Sequence, residues 1–107
     1  MDFRIGGNDL ARFRMGAGTP FPGTELIYRT TYQDIVPDRR LVYAYSLAFA
    51  GRIVSASLVT FEFLPAGGGT DVLFTEQGAY FDGADGPEMR ERGWRTLLEK
   101  LATSLAA

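Results

Sequence analysis

Apolar and polar residues alternate at a period of two along most of the chain. Tyr28, Thr30 and Tyr32 are interleaved with Arg29, Thr31 and Gln33, the pattern of a strand with one buried and one wet face. In the next run large side chains alternate with small ones: Leu41, Tyr43, Tyr45, Leu47 and Phe49 against Val42, Ala44, Ser46 and Ala48. The large-residue face is therefore expected to be covered. Val59, Phe61 and Phe63 alternate with Leu58, Thr60 and Glu62, and Val72 and Phe74 with Asp71 and Thr75. The breaks between these runs are short and carry turn chemistry: Ile5-Gly6-Gly7-Asn8, Val36-Pro37-Asp38-Arg39, Ala50-Gly51-Arg52 and Pro65-Ala66-Gly67-Gly68-Gly69. Short turns between consecutive strands predict an antiparallel meander, with its first strand before Gly6.

The period then changes. Trp94, Leu97, Leu98, Leu101 and Leu105 fall at i, i+3, i+4, i+7 and i+11, one stripe of an amphipathic helix of about five turns. Its start is marked by Asp85-Gly86-Pro87-Glu88: either Gly86 caps with Pro87 first in the helix, or Asp85 caps with Glu88 three residues on. Glu88 to Arg92 and Glu91 to Arg95 are spaced i,i+4 with the acid N-terminal, the favourable orientation on a solvated face. With no second helix to meet it, the leucine stripe is expected to lie on a sheet face. Gly93 inside that stripe costs about 1 kcal/mol relative to alanine, which points to close backbone approach or to space left for something. Beside it Trp94 brings a large apolar body with one N–H donor, suited to core packing and also to ligand contact.

Composition narrows the chemistry. At 107 residues the chain fits one domain, and its 8 Phe, 5 Tyr and 1 Trp can fill a core. Eleven basic against thirteen acidic side chains leave a net charge of −2, which gives no electrostatic reason to expect nucleic acid or an anionic membrane as partner. The absence of His and Cys removes Ser-His-Asp and Cys-His catalysis, the usual zinc, copper and non-haem iron sites, and thiol redox chemistry. An enzyme is thereby disfavoured, and no metal or cofactor is expected. The longest apolar-leaning stretch, Leu41 to Ala50, is strand-length and interrupted by Ser46, and charges follow closely on Met1; the chain reads as cytoplasmic.

Several groups invite functional readings. Gly67-Gly68-Gly69-Thr70 precedes a strand, and the chain's single lysine is Lys100, so a hairpin turn fits better than a phosphate loop. Arg12 with Arg14, and Arg39 with Arg40, could grip an anion, but read first as solvated sheet surface. Most of the strand carboxylates Glu62, Glu76, Asp34 and Asp71 are expected to face water. Tyr28, Tyr32, Tyr43 and Tyr45 form a tyrosine-rich face, which suits a small-molecule pocket and an amphipathic core equally.

Four segments in one order carry a resemblance: residues 2–7 (Asp2-Phe3-Arg4-Ile5-Gly6-Gly7), residues 32–43 from Tyr32 to Tyr43, Val59 to Phe63 with Gly69-Thr70, and Gly93-Trp94 with the leucines after it. Together they resemble the bacterial relatives of the activator of heat-shock-protein-90 ATPase, within the START-like (SRPBCC) superfamily. The resemblance implies an α+β helix-grip fold, a curved antiparallel sheet of about six strands packed on one long C-terminal helix with an apolar cavity between them. It makes Gly93 and Trp94 a helix signature facing the cavity, makes Asp38, Arg39 and Arg40 a turn signature, and supplies no catalytic residue. It also implies a single domain over residues 1–107 that lacks the family's first strand and two helices. A start assigned too late and a genuine short form are both compatible with this, and a second copy could then cover the open edge. The leading expectation is a module that binds a small apolar or aromatic ligand through Tyr28, Tyr43, Tyr45, Phe61, Phe74, Gly93, Trp94 and Leu97. A chaperone-linked interaction protein is the alternative, and a polyketide cyclase-like enzyme comes third.

Overall fold

Period-two alternation builds five strands and the 3.6-residue period one helix. The computed structural model describes residues 2–81 and 87–106, the side chains of residues 87, 105 and 106 excepted. In chain order the elements are β1 (Asn8–Arg14), β2 (Glu25–Val36), β3 (Arg40–Phe49), β4 (Arg52–Ala66), β5 (Gly69–Tyr80) and α1 (Pro87–Ala106). The strands pair with their sequence neighbours, all antiparallel, in the order β1-β2-β3-β4-β5. This is the expected meander with a C-terminal helix, an α+β fold of the helix-grip kind. The expected helix start at Asp85-Gly86 lies outside the described residues. Among the described residues no helix is long and apolar enough to cross a membrane.

Five strands stand where about six are expected, because residues 2–7 curl instead of extending. Arg4 N–H donates to Asp2 O and Gly7 N–H to Arg4 O. A Cβ at Gly7 would lie 2.1 Å from the Asp2 carbonyl oxygen, so the curl needs a glycine there. Gly6 N–H still donates to Tyr32 O, and Tyr32 N–H to Gly7 O, which ties the segment to β2.

The two tightest hairpins follow directly from their turn residues. Gly67 and Gly68 have φ of 50° and 86°, and Ala50 and Gly51 have 52° and 83°. Positive φ at both central positions is the turn whose twist matches that of paired strands. The triple glycine is thus a hairpin.

Register decides which side chains share a face. Tyr28 opposes Leu47, Tyr45 opposes Ser57, Val59 opposes Glu76, and Phe61 opposes Phe74. These residues all lie on the inner face, towards α1. Near the end of β3 the register shifts, with Leu47 opposite Ser55 but Ala48 opposite Ile53. Val54 is the extra residue, which is why the neighbours Val54 and Ser55 are both buried. The buried apolar side chains are Tyr32, Tyr45, Leu47, Val54 and Val59, so the described core is centred on the middle of the sheet.

The helix meets the sheet along a different line from the one expected. Among its described side chains, Arg90, Trp94 and Leu98, at i, i+4 and i+8, are the partly buried ones. Leu97 and Leu101 are 57% and 53% exposed, and the space around Gly93 is open, with no atom within 4 Å of where its Cβ would be. The expectation that the whole leucine stripe lies on the sheet is corrected accordingly. A charged residue takes the inner position at the start of the helix because a carboxylate on the sheet awaits it.

Candidate functional site

Aromatic rings run in an unbroken track across the inner face. Tyr28 lies 6.1 Å from Tyr45 between ring centroids, Tyr45 lies 6.0 Å from Tyr43, and Tyr43 lies 6.4 Å from Phe61. Phe61 then meets Phe74 at 5.1 Å and Trp94 at 5.9 Å, and Phe74 and Trp94 are 4.5 Å apart. Strand parity places the first five on the sheet, and the helix brings Trp94 down onto the end of the track. Such separations lie in the range where offset and edge contacts add to area burial.

Beside the rings sits a buried polar cluster centred on Glu76. Its Oε1 accepts hydrogen bonds from the Tyr45 hydroxyl at 2.8 Å and from Trp94 Nε1 at 3.0 Å. Its Oε2 accepts from the Tyr80 hydroxyl at 3.2 Å and lies 3.4 Å from Arg90 Nη1. Arg90 also donates to the Tyr45 hydroxyl, and its Nη2 donates to Ser55 Oγ at 2.8 Å. The guanidinium carbon stands 5.2 Å from the centre of the Tyr80 ring and 5.6 Å from that of Tyr45, close enough for cation–π attraction. The side chains of Arg90 and Glu76 are only 12% and 7% exposed. Removing Arg90 would leave the Glu76 charge away from water.

Gly78 makes this arrangement possible. A Cβ there would fall 2.6 Å from Ser57 Oγ and 3.2 Å from the Tyr80 hydroxyl oxygen; its absence lets Tyr80 fold back along β5 to reach Glu76. Ser57 itself is buried, and its hydroxyl has no hydrogen-bond partner. Burial is the main reason that the pKa values of Tyr43 and Tyr45 are raised above the ordinary 10.0. The Glu76 charge adds to the shift at Tyr43, and the hydrogen bond to Glu76 adds to it at Tyr45, where Arg90 opposes it. Both phenols therefore keep their protons at neutral pH, as Tyr45 must in order to donate to Glu76.

Between β5 and α1 opens a groove of about 740 Å³, walled by Phe74, Trp94 and Leu98, with Glu76, Tyr80 and Arg90 among its polar residues. Of the eight residues expected to bind a ligand, Phe74 and Trp94 line this groove. Tyr28, Tyr43, Tyr45 and Phe61 continue the ring track away from it. Gly93 and Leu97 lie on the neighbouring, exposed side of α1, so the structure does not bring them to the rings. Among the described residues no group of three or more carboxylates gathers to hold a metal ion.

Within the polar cluster, Tyr45 is an expected ligand residue and Glu76 one of the carboxylates expected mostly to face water, whereas Arg90, Tyr80 and Ser55 carry no expectation, although signals for Glu76 and Arg90 exist. Glu76 follows Val72 and Phe74 at the same parity, which places it on the inner face; the expectation that such carboxylates face water is corrected for this one. Arg90 precedes Trp94 by four residues and so shares its helix face. The arginine pairs behave as surface: Arg40 bridges Asp34 at 2.7 Å, Arg12 lies 3.6 Å from Glu25, and Arg14 donates to Gly23 O.

Comparison with known proteins bears on what this site serves. No curated protein matches the chain. The crystal structure of the Mll3558 protein of Rhizobium loti is similar at 47% identity and a TM-score of 0.85, over 96% of this chain and 68% of that one. An uncharacterized protein of Rhizobium leguminosarum is similar at 35% identity and a TM-score of 0.83, over 94% of this chain and 62% of that one. The chain thus spans about two thirds of the length of these solved relatives. The family model described as Activator of Hsp90 ATPase homolog 1-like protein matches residues 1–106, nearly the whole chain, and with the relatives' identity and the shared meander and helix it follows that the chain belongs to this family.

Proposed function

We propose that the protein binds a small apolar or aromatic molecule in the groove between β5 and α1, as a cytoplasmic module without catalysis of its own. The observation that carries this reading is the joining of an aromatic wall, Phe74 with Trp94, to one buried polar cluster at Glu76. A largely apolar concavity with a few convergent polar groups is the usual make-up of a small-molecule site, and the groove's volume falls within the usual range for one. Burial of the ligand's apolar surface supplies affinity, and the cluster fixes orientation.

The test uses the chain's single tryptophan. A library of aromatic and lipid-like compounds is screened for a rise in melting temperature and for a change in Trp94 emission. A compound that raises both, and loses its effect in Phe74→Ala, supports the site. If no compound in the library moves either readout, the reading fails.

The family's name favours a second reading, a chaperone-linked adaptor. Capture of a chaperone that is lost on changing exposed arginines such as Arg29 and Arg39, yet survives Phe74→Ala, would favour that reading over the first.

A further inference from the structure

The polar cluster has the composition of a cation receptor that is already filled. Two tyrosine rings present their faces to one guanidinium, a buried carboxylate lies against it, and Ser55 and Tyr45 accept its N–H groups. Those acceptors suit a guanidinium, with its fork of donors, better than a quaternary ammonium, which has none to give. The occupant is the chain's own Arg90.

Arg90 is poorly placed to serve its own helix. It is the fourth residue of α1, where a positive charge opposes the helix dipole. Among the described side chains of the helix, Arg90, Trp94 and Leu98 are the ones partly buried, while Met89, Leu97 and Leu101 are exposed. The receptor also keeps capacity that Arg90 leaves unused. Ser57, next to Ser55 on the same strand face, has a buried hydroxyl without a partner. With Arg90 withdrawn, the described residues of the groove would set Glu76, Glu91 and Glu99 against Arg95, a field that selects a cation.

We propose that Tyr45, Tyr80, Ser55 and Glu76 form a guanidinium receptor filled from within by Arg90, and that a ligand carrying a guanidinium on an apolar body displaces Arg90 and rests that body on Phe74 and Trp94. This rests on the reading of the groove as a ligand site and names the ligand's polar head. Arg90 is then a built-in competitor, present at the high effective concentration of a tethered group.

Two probes of matched shape test it on the wild-type chain and on Arg90 variants, benzylguanidinium and its neutral isostere benzylurea, each titrated against Trp94 emission at constant ionic strength. In the wild type, displacing Arg90 exchanges one guanidinium for another, so benzylguanidinium should show little preference over benzylurea. In Arg90→Met, which keeps the apolar stem, benzylguanidinium should bind at least about tenfold more tightly than benzylurea and than it binds the wild type, the factor that a cation–π contact and a charge-assisted hydrogen bond supply once the internal competitor is gone. Methylguanidinium should raise the melting temperature of that variant and leave the wild type unmoved. Arg90→Lys, which keeps a counter-charge for Glu76 but lacks the guanidinium fork, serves if Arg90→Met does not fold. Equal binding of the two probes to a folded Arg90 variant would overturn the guanidinium head and leave the apolar groove standing. Binding of neither would remove both readings. A folded Arg90 variant with no gain over wild type would overturn the role of Arg90 as internal occupant.

Discussion

Glu76 takes hydrogen bonds from both walls of the site, from two tyrosines on the sheet and from Trp94 and Arg90 on the helix. Its removal is therefore felt on both elements at once. Glu76→Gln leaves the size of the side chain intact but removes the carboxylate charge that lies against the Arg90 guanidinium. Breaking a buried pair in this way costs about 3 kcal/mol, and denaturant unfolding followed through Trp94 emission measures it. An unchanged midpoint would mean that Arg90 is not held by this carboxylate. Gly78 is the second residue on which the cluster depends. In Gly78→Ala the new methyl would lie 2.6 Å from Ser57 Oγ and 3.2 Å from the Tyr80 hydroxyl oxygen, so one of the two must move. The expected cost is about 2 kcal/mol, as for overpacking of a filled interior. Ser57→Ala, which removes the oxygen nearest the new methyl, should leave that cost smaller than in the otherwise unchanged chain, which a double-mutant cycle would show.

At the scale of elements the hairpins were the most legible part of the chain. Gly67-Gly68 and Ala50-Gly51 stand between runs of period two, and each pair adopts positive φ at both positions. Ala50 is the less comfortable of the four, since a left-handed conformation costs a residue with a Cβ about 1 kcal/mol. Ala50→Gly removes that cost but frees the unfolded chain. The net gain expected is about 0.5 kcal/mol, or roughly 2–4 °C in melting temperature for a domain of this size; a lower midpoint would contradict the strain. The helix was legible as an element but not in its orientation. Hydrophobic spacing groups Trp94 with Leu97, Leu98 and Leu101, yet the face turned to the sheet is Arg90, Trp94 and Leu98. Apolar periodicity is blind to a cation whose partner, a buried carboxylate, lies on a different element. Glu76 escaped for the same reason, since a strand face is recognised by its apolar members and a charge among them looks like an interruption.

For the whole molecule, one sheet and one helix leave much of the inner face as a single layer. The radius of gyration is 15.3 Å, against about 13 Å expected for a compact domain of this length. Stability then depends on the limited region where rings and hydroxyls are buried together, and that region holds tyrosines where many cores hold leucine. Burial is the main cause that raises the pKa of Tyr32, Tyr43 and Tyr45 above 10.0. The folded chain therefore binds these phenolic protons more tightly than the unfolded chain does. Linkage fixes the sign: the stabilisation is complete below pH 10 and is lost as pH rises from there towards the folded-state values. Thermal unfolding should accordingly show no contribution from these groups between pH 7 and pH 9, and a falling midpoint above pH 10. Phenolate absorbance should rise together with the loss of structure rather than before it. Tyr43→Phe tests the assignment, because the interactions found for Tyr43 are ring contacts with Tyr32, Tyr45 and Phe61, which phenylalanine keeps. That variant should fold at neutral pH with about the wild-type midpoint and lose stability less steeply in alkali. An alkaline slope equal to that of the wild type would assign the loss to other groups.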